Sequence, residues 1–186
     1  MADRSEVMRV YAAQTATVVD ELLRSGQCFC REEYIRRKYG ECAGSFLIAY
    51  RYLAEKGAAL VPKPEGAELP YWVSPDPAGL PRSETLLALD VPRGELLLFP
   101  RALWTRILQL RYLGRTEEET ACFERELEAR GLSGYAVMTS RFYPELRAQI
   151  LASWERLLDP AERALLAPCD LQGAVWTIRQ EWIAEE

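Results

Sequence analysis

Histidine is absent from all 186 residues of the chain. A Ser-His-Asp or Cys-His catalytic arrangement is therefore excluded, and so is any metal site that depends on a histidine ligand. A general base in this protein would have to be Asp, Glu, Lys, Tyr or Cys. The pKa of such a group would need to be shifted by burial or by neighbouring charges.

Long apolar runs and secretory signals are also missing. No stretch of about eighteen apolar residues occurs, and the first residues, MADRSEVM, are polar. We therefore expect a cytoplasmic protein without a membrane partner, and free thiols at its five cysteines. Cys28 and Cys30 with Cys42 could offer three thiolates, but CxC is not the usual CxxC spacing and no fourth ligand is in register. No metal site is predicted.

The net charge is −5 and the isoelectric point is about 5.1. This acidic balance disfavours non-specific binding to nucleic acid or anionic lipid. The densest basic stretch, Arg31 to Lys38, includes two glutamates and is interpreted as a solvated helix face. With 49% apolar and 27% charged residues, the composition is that of one globular domain spanning residues 1–186.

Hydrophobic periodicity in the first half predicts a strand at Met8–Ala13, followed by three helices. The first should end at Gly26, and the others should span about 32–39 and 43–56. Residues 58–84 then hold six of the chain's eleven prolines, a density that excludes a helix. We predict a Pro-rich extended loop there, with a short strand around Tyr71–Val73; such loops often bind ligands or partners.

The second half predicts a strand, a turn at Pro92–Gly94 and a second strand that ends at Phe99. Apolar residues on both faces near Leu86 indicate a central strand that is covered on both sides. Helices should follow, the first over 102–113, and one continuous strand at Leu171–Ile183 should close the chain. We predict an α+β fold, in which several helices pack on one small, mixed or mainly antiparallel sheet of about four or five strands that includes both terminal strands.

Each terminal strand carries a glutamine, Gln14 in the first and Gln172 in the last. A buried amide without partners costs about 1–3 kcal/mol, so each glutamine should find partners. Either both bond to backbone groups at strand ends, or both orient a ligand across the sheet. Both alternatives require the terminal strands to be neighbours.

Five segments in order along the chain resemble an uncharacterised bacterial family, domain of unknown function 3841: VYAAQTATVVDELLRSG, LPYWV, LLALDVPRGELLLF, SWERLLDP and LQGAVWTIRQEWI. The resemblance covers nearly the whole chain, but none of the segments is a catalytic signature. Family members tend to follow the middle strand with a Ser-Asp-rich turn and a Trp-His pair. This chain has Leu98-Phe99-Pro100 and Trp104-Thr105 there, so any chemistry of that Asp and His is lost.

The sequence leaves two hypotheses for function open. It therefore does not decide whether the chain is an enzyme. The first is a protein-interaction or regulatory module, in which Tyr71 and Trp72 are aromatic anchors for an unknown protein partner. The alternative is a nucleotide- or NAD-binding enzyme, similar in outline to ADP-ribosyltransferases, in which a glutamate near the last strands is catalytic. NAD is expected as a cofactor only under this alternative.

The candidate binding residues lie on the terminal strands and on the loop: Tyr11, Gln14, Tyr71, Trp72, Gln172 and Arg179. Glu181 is the catalytic candidate. In a regular strand, Gln172 and Glu181 face opposite sides, and they converge only if a bulge at Gly173 shifts the register.

Overall fold

The computed structural model describes residues 6–184, in which short strands alternate with helices. The strands are β1 (Val7–Gln14), β2 (Gln27–Phe29), β3 (Tyr71–Val73), β4 (Thr85–Pro92), β5 (Leu97–Pro100), β6 (Leu171–Val175) and β7 (Thr177–Arg179). The α-helices are α1 (Ala16–Ser25), α2 (Glu32–Tyr39), α3 (Ala43–Gly57), α4 (Arg101–Leu108), α5 (Glu117–Ala129), α6 (Gly134–Thr139), α7 (Pro144–Ser153) and α8 (Pro160–Arg163).

The strands form three small antiparallel sheets, β1–β4, β2–β7 and β3–β6–β5. Single bridges connect strands to residues outside the other strands, among them Tyr11 of β1 to Ser74, which follows β3, and Leu89 of β4 to Ile183. The predicted α+β class, the antiparallel pairing and the presence of strands near both termini are confirmed. The strands are divided among three sheets instead of the one expected.

The terminal strands are not paired with each other, contrary to what both explanations of the glutamines require. β1 reaches the end of β3 through two backbone hydrogen bonds of 2.8 Å between Tyr11 and Ser74. β3 in turn pairs with β6. β3 therefore separates the two strands that carry Gln14 and Gln172.

The final strand is not continuous, because it breaks at Trp176 between β6 and β7. The Trp176 indole is buried, and its Nε1 donates to the backbone oxygen of Val61 at 2.8 Å. The break lets β6 pair with β3 and β5 while β7 pairs with β2. The expected alternation of faces from Gln172 to Glu181 is wrong for this reason.

Two further predictions for the second half are corrected. Leu86 is 50% exposed, so β4 is not covered on both sides, although Leu87 and Leu89 on its inner face are buried. The helix expected over 102–113 already ends at Leu108, because Leu110 adopts a left-handed backbone with φ of 56°. That turn places the Leu110 side chain, which is fully buried, in the core.

The predicted strand, helices and loop of the first half are present, but the strand β2 between α1 and α2 was not predicted. Gly26 ends α1 with φ of 78°, and α3 ends at Gly57. The Pro-rich residues 58–84 are mostly irregular, and β3 is their one strand. No helix between residues 6 and 184 is both long enough and apolar enough to span a membrane.

Candidate functional site: an aromatic cavity

A cavity of about 670 Å³ opens where strand ends from different sheets meet the helices α1 to α4. Its walls come from the junction of β1 and α1, from α2 and α3, from β3, from the start of β6 and from α4. Residues 79–84 of the Pro-rich loop complete it. The volume lies within the range of about 300–1,000 Å³ that is usual for small-molecule sites.

One wall is an interlocked aromatic cluster. The rings of Trp72 and Trp104 lie 4.6 Å apart, and Tyr50 meets Trp72 edge-on, also at 4.6 Å. The Trp72 indole N–H donates to the hydroxyl of Tyr50, and burial raises the pKa of Tyr50. The hydroxyl therefore stays protonated at neutral pH. These contacts fix the orientation of the rings and give the cavity a rigid apolar surface.

A second aromatic surface comes from α2 and α3. Tyr39 and Phe46 are stacked, with centroids 4.3 Å apart and ring planes 26° from parallel. Both are half-buried and line the cavity. Their arrangement offers a flat apolar surface on which a planar ring can stack.

The charges around the cavity are mainly positive. Arg37, Lys38 and Arg101 line it, and Glu84 is the one carboxylate among the described lining residues. Glu84 is paired with Lys38 at 3.0 Å and Arg37 is paired with Glu33 at 2.8 Å, which leaves Arg101 as the lining cation without a carboxylate partner among the described residues. In a chain of net charge −5, this local balance favours an anionic ligand.

Arg101 is the first residue of α4, and its guanidinium lies at the junction of β3 and β6. Its Nη2 donates to the hydroxyl of Ser74 at 2.8 Å and to the backbone oxygen of Leu171 at 3.4 Å. Its Nε is buried and has no hydrogen-bond partner within residues 6–184. The guanidinium is thus held by neutral acceptors beside the cavity.

The two glutamines both line the cavity but have different partners. Gln172 donates from Nε2 to the backbone oxygen of Val73 at 2.6 Å, which ties the start of β6 to β3. The Gln14 side chain makes no hydrogen bond to any other described residue. Gln172 is therefore engaged in the scaffold, and the Gln14 amide is available to a ligand.

Four of the predicted site residues meet at this cavity: Gln14, Tyr71, Trp72 and Gln172. Tyr71 is only 5% exposed and offers no surface anchor. Trp72 belongs to the aromatic wall rather than to an exposed loop tip. The Pro-rich loop therefore directs these two aromatic residues inward.

The other three predicted residues lie elsewhere. Tyr11 does not line the cavity, and its backbone bonds to Ser74. Arg179 is paired with Glu95 at 2.8 Å, and Glu181 is 3.7 Å from Arg179 in a separate shallow depression. The catalytic candidate and Gln172 do not converge.

Several lining residues were missed by the sequence analysis, notably Arg101 and the aromatic residues of α2 to α4. Arg101 had a detectable signal. A cation in the first helical turn opposes the helix dipole, and α4 has no acidic residue in that turn to compensate. Trp104 and Thr105, where the family pattern reads Trp-His, also line the cavity.

All five cysteines are free thiols, as predicted, and Cys28 and Cys30 are buried. Burial raises the pKa of Cys30 to about 12, so this thiol is protonated at neutral pH. Among the described residues, no cluster of three Cys, Asp or Glu side chains could hold a metal ion.

The fold and the site define an α+β protein with an aromatic, positively charged cavity at the junction of its sheets. The chain belongs to the family described as Domain of unknown function (DUF3841), whose model matches residues 9–184. The resemblance noted in the sequence is thereby confirmed. Comparisons with curated proteins and with solved structures gave no match.

Proposed function

We propose that this protein binds a nucleotide-type ligand, a planar aromatic base joined to an anionic group, in the cavity at the sheet junction. The observation that carries the proposal is the composition of its walls: rigid aromatic surfaces combined with Arg101, a cation that has no carboxylate partner among the described residues. NAD and ADP-ribose belong to this ligand class. A cytoplasmic location, where nucleotides are available, is part of the proposal.

Stacking and charge would act together in such a complex. A base stacked on an aromatic side chain contributes about 1–3 kcal/mol, whatever the identity of the base. The stacked pair Tyr39 and Phe46 offers such a surface. The Gln14 amide, free of other side-chain partners within 6–184, could supply directional hydrogen bonds that discriminate between bases.

The proposal concerns binding rather than group transfer. Glu84, the one described carboxylate in the cavity wall, is paired with Lys38. Glu181, the catalytic candidate, lies in the separate depression. The proposal therefore assigns no catalytic residue.

A thermal-shift screen with NAD, ADP-ribose, ATP and adenosine tests the proposal. A ligand at about one hundred times its dissociation constant stabilises the fold by about 2.7 kcal/mol. In a protein of this size, that raises the melting temperature by roughly 5–10 °C. Gln14→Ala should reduce the shift, whereas Gln27→Ala should leave it unchanged, because Gln27 is an exposed residue of β2 outside the cavity. No shift with any of the four compounds would refute the proposal.

The second candidate is a protein-interaction module, favoured by large apolar side chains that are exposed away from the cavity. Phe142 is 73% exposed and Tyr135 is 59% exposed, in and after α6. Exposed aromatic residues are enriched at interfaces. Sedimentation of the wild type and of Phe142→Ser would test self-association, the simplest form of this candidate. A monomer in both cases over the whole concentration range would count against it.

A further inference from the structure

We infer that Arg101 binds the phosphate group of the ligand and thereby makes the cavity selective for nucleotides over nucleosides. The inference rests on the proposed function and specifies where the anionic part of the ligand lies. It follows from the hydrogen-bonding of the guanidinium, from its position in the fold and from the glycine packed against it.

The guanidinium has more donors than acceptors around it. Of its five N–H donors, those on Nη2 meet Ser74 and Leu171, while the buried Nε has no partner among the described residues. Both acceptors are neutral, so the positive charge is not compensated by them. Arg101 is half-buried, and its Nη1 donates to no described residue, so an oxyanion at Nη1 would compensate the charge and accept from the unused donors there.

The scaffold holds this charge at the edge of the cavity. Ser74 is 1% exposed, and its hydroxyl donates to the backbone oxygen of Asp76 at 2.7 Å while it accepts from Arg101. Leu171, whose backbone oxygen accepts from Arg101, is the first residue of β6, and Ser74 directly follows β3. The guanidinium is therefore held between these two strands. Preorganised donors of this kind favour a bound phosphate, because little side-chain entropy remains to be lost.

Gly79 makes this close packing possible. A Cβ atom at position 79 would lie 2.6 Å from Nη1 of Arg101, which is closer than such contacts allow. The backbone of Gly79 is outside the left-handed region, so it is space rather than conformation that favours glycine here. The loop and the guanidinium are thus fitted to each other at the cavity wall.

Isothermal titration of adenosine, AMP and ADP-ribose against wild type and Arg101→Gln tests the inference. The wild type should bind AMP and ADP-ribose more tightly than adenosine. Arg101→Gln should weaken AMP and ADP-ribose by about 10- to 100-fold and leave adenosine unchanged, because a charged hydrogen bond to phosphate is lost. Arg163→Gln is the matched control: Arg163 also donates to backbone oxygens, of Leu98 and Leu158, but does not line the cavity.

A second pair of variants retains Arg101, and one of the two shifts the position of its guanidinium. Gly79→Ala should displace the guanidinium and weaken AMP several-fold with adenosine unchanged, even if Arg101→Gln fails to fold. Gly94→Ala, where an added Cβ meets nothing within 4 Å, is its control. Neither glycine lies in an α-helix, so the higher helix propensity of alanine cannot cause a difference between the two variants.

Three results would overturn the inference. If the wild type binds adenosine but binds AMP no more tightly, the phosphate site is absent and the base site of the proposed function survives. If Arg101→Gln weakens adenosine and AMP equally, Arg101 only supports the fold. If the wild type binds none of the three compounds, the proposed function fails together with the inference.

Discussion

Replacing each cavity glutamine with methionine should separate a structural role from a binding role. Methionine keeps the length of the side chain but removes the amide. Gln172→Met breaks the 2.6 Å bond from Nε2 to the Val73 oxygen, whereas Gln14→Met breaks no hydrogen bond to any residue within 6–184. The two variants therefore remove the same group from the same cavity with different consequences for the fold.

The expected magnitudes follow from the burial of the acceptor. Val73 is fully buried, so loss of the donor leaves its oxygen without that partner at a cost of about 1–3 kcal/mol. For a chain of this length, this lowers the melting temperature by about 2–12 °C. Gln14→Met should change stability by less than about 0.5 kcal/mol, as is usual for a side chain without specific partners.

Urea denaturation followed by tryptophan fluorescence gives the free energies, and the same samples can be titrated with ligand. We expect Gln172→Met to lose stability, and Gln14→Met to lose ligand-induced stabilisation at unchanged stability. Equal stability losses in both variants, or no loss in Gln172→Met, would refute the assignment of the Val73 bond as structural. An unchanged ligand response in Gln14→Met would refute the role of its amide.

Two further predictions concern the scaffold. Gly134→Ala should lower the free energy of unfolding by about 1–3 kcal/mol, because the added methyl group would overlap the backbone oxygen of Leu110. Gly44→Ala in α3, where nothing lies within 4 Å of the added methyl group, should raise it by about 0.4–1 kcal/mol. A change of the same sign in both variants, measured by urea denaturation, would contradict this prediction. Hydrogen bonds from Arg51 hold the pKa of Glu32 below its ordinary value of 4.5, so that pair stabilises the fold above pH 4.5 and the contribution is lost as the pH falls through the lowered pKa. Arg51→Gln should therefore be less stable than wild type at pH 7, and the two stabilities should converge as the pH falls through the lowered pKa of Glu32; parallel pH profiles would contradict the pairing.

Local signals predicted much of the fold. The glycine at position 26 and the proline density of 58–84 each act over a few residues, and the helix end and the irregular loop that they predict were confirmed. The break at Trp176 was not predictable, because it depends on the distant Val61 oxygen that accepts from its indole. The end of α4 also depends on packing, since burial of Leu110 outweighs the cost of its left-handed backbone.

The site was predictable only in part, because some of its residues have local signals and others depend on contacts between distant segments. A glutamine at a strand end, such as Gln14, and an aromatic residue in a Pro-rich loop, such as Trp72, are unusual enough to be noticed in a sequence. Phe46 on α3 occurs at ordinary helical spacing and is indistinguishable from a core residue until its neighbours are known. The partners of Arg101 are 27 and 70 positions away along the chain, so only the folded chain reveals its surroundings.

The pairing of the strands also determines when the chain can fold during its synthesis. β2 pairs with β7, so Cys28 meets Ile178 across 150 positions, and β4 is bridged to Ile183. Contacts of such long range form slowly, since a large loop must close before they are gained. When only the first hundred residues have emerged from the ribosome, β2 is exposed without its partner strand. We expect the nascent chain to depend on chaperones until residues 177–183 emerge.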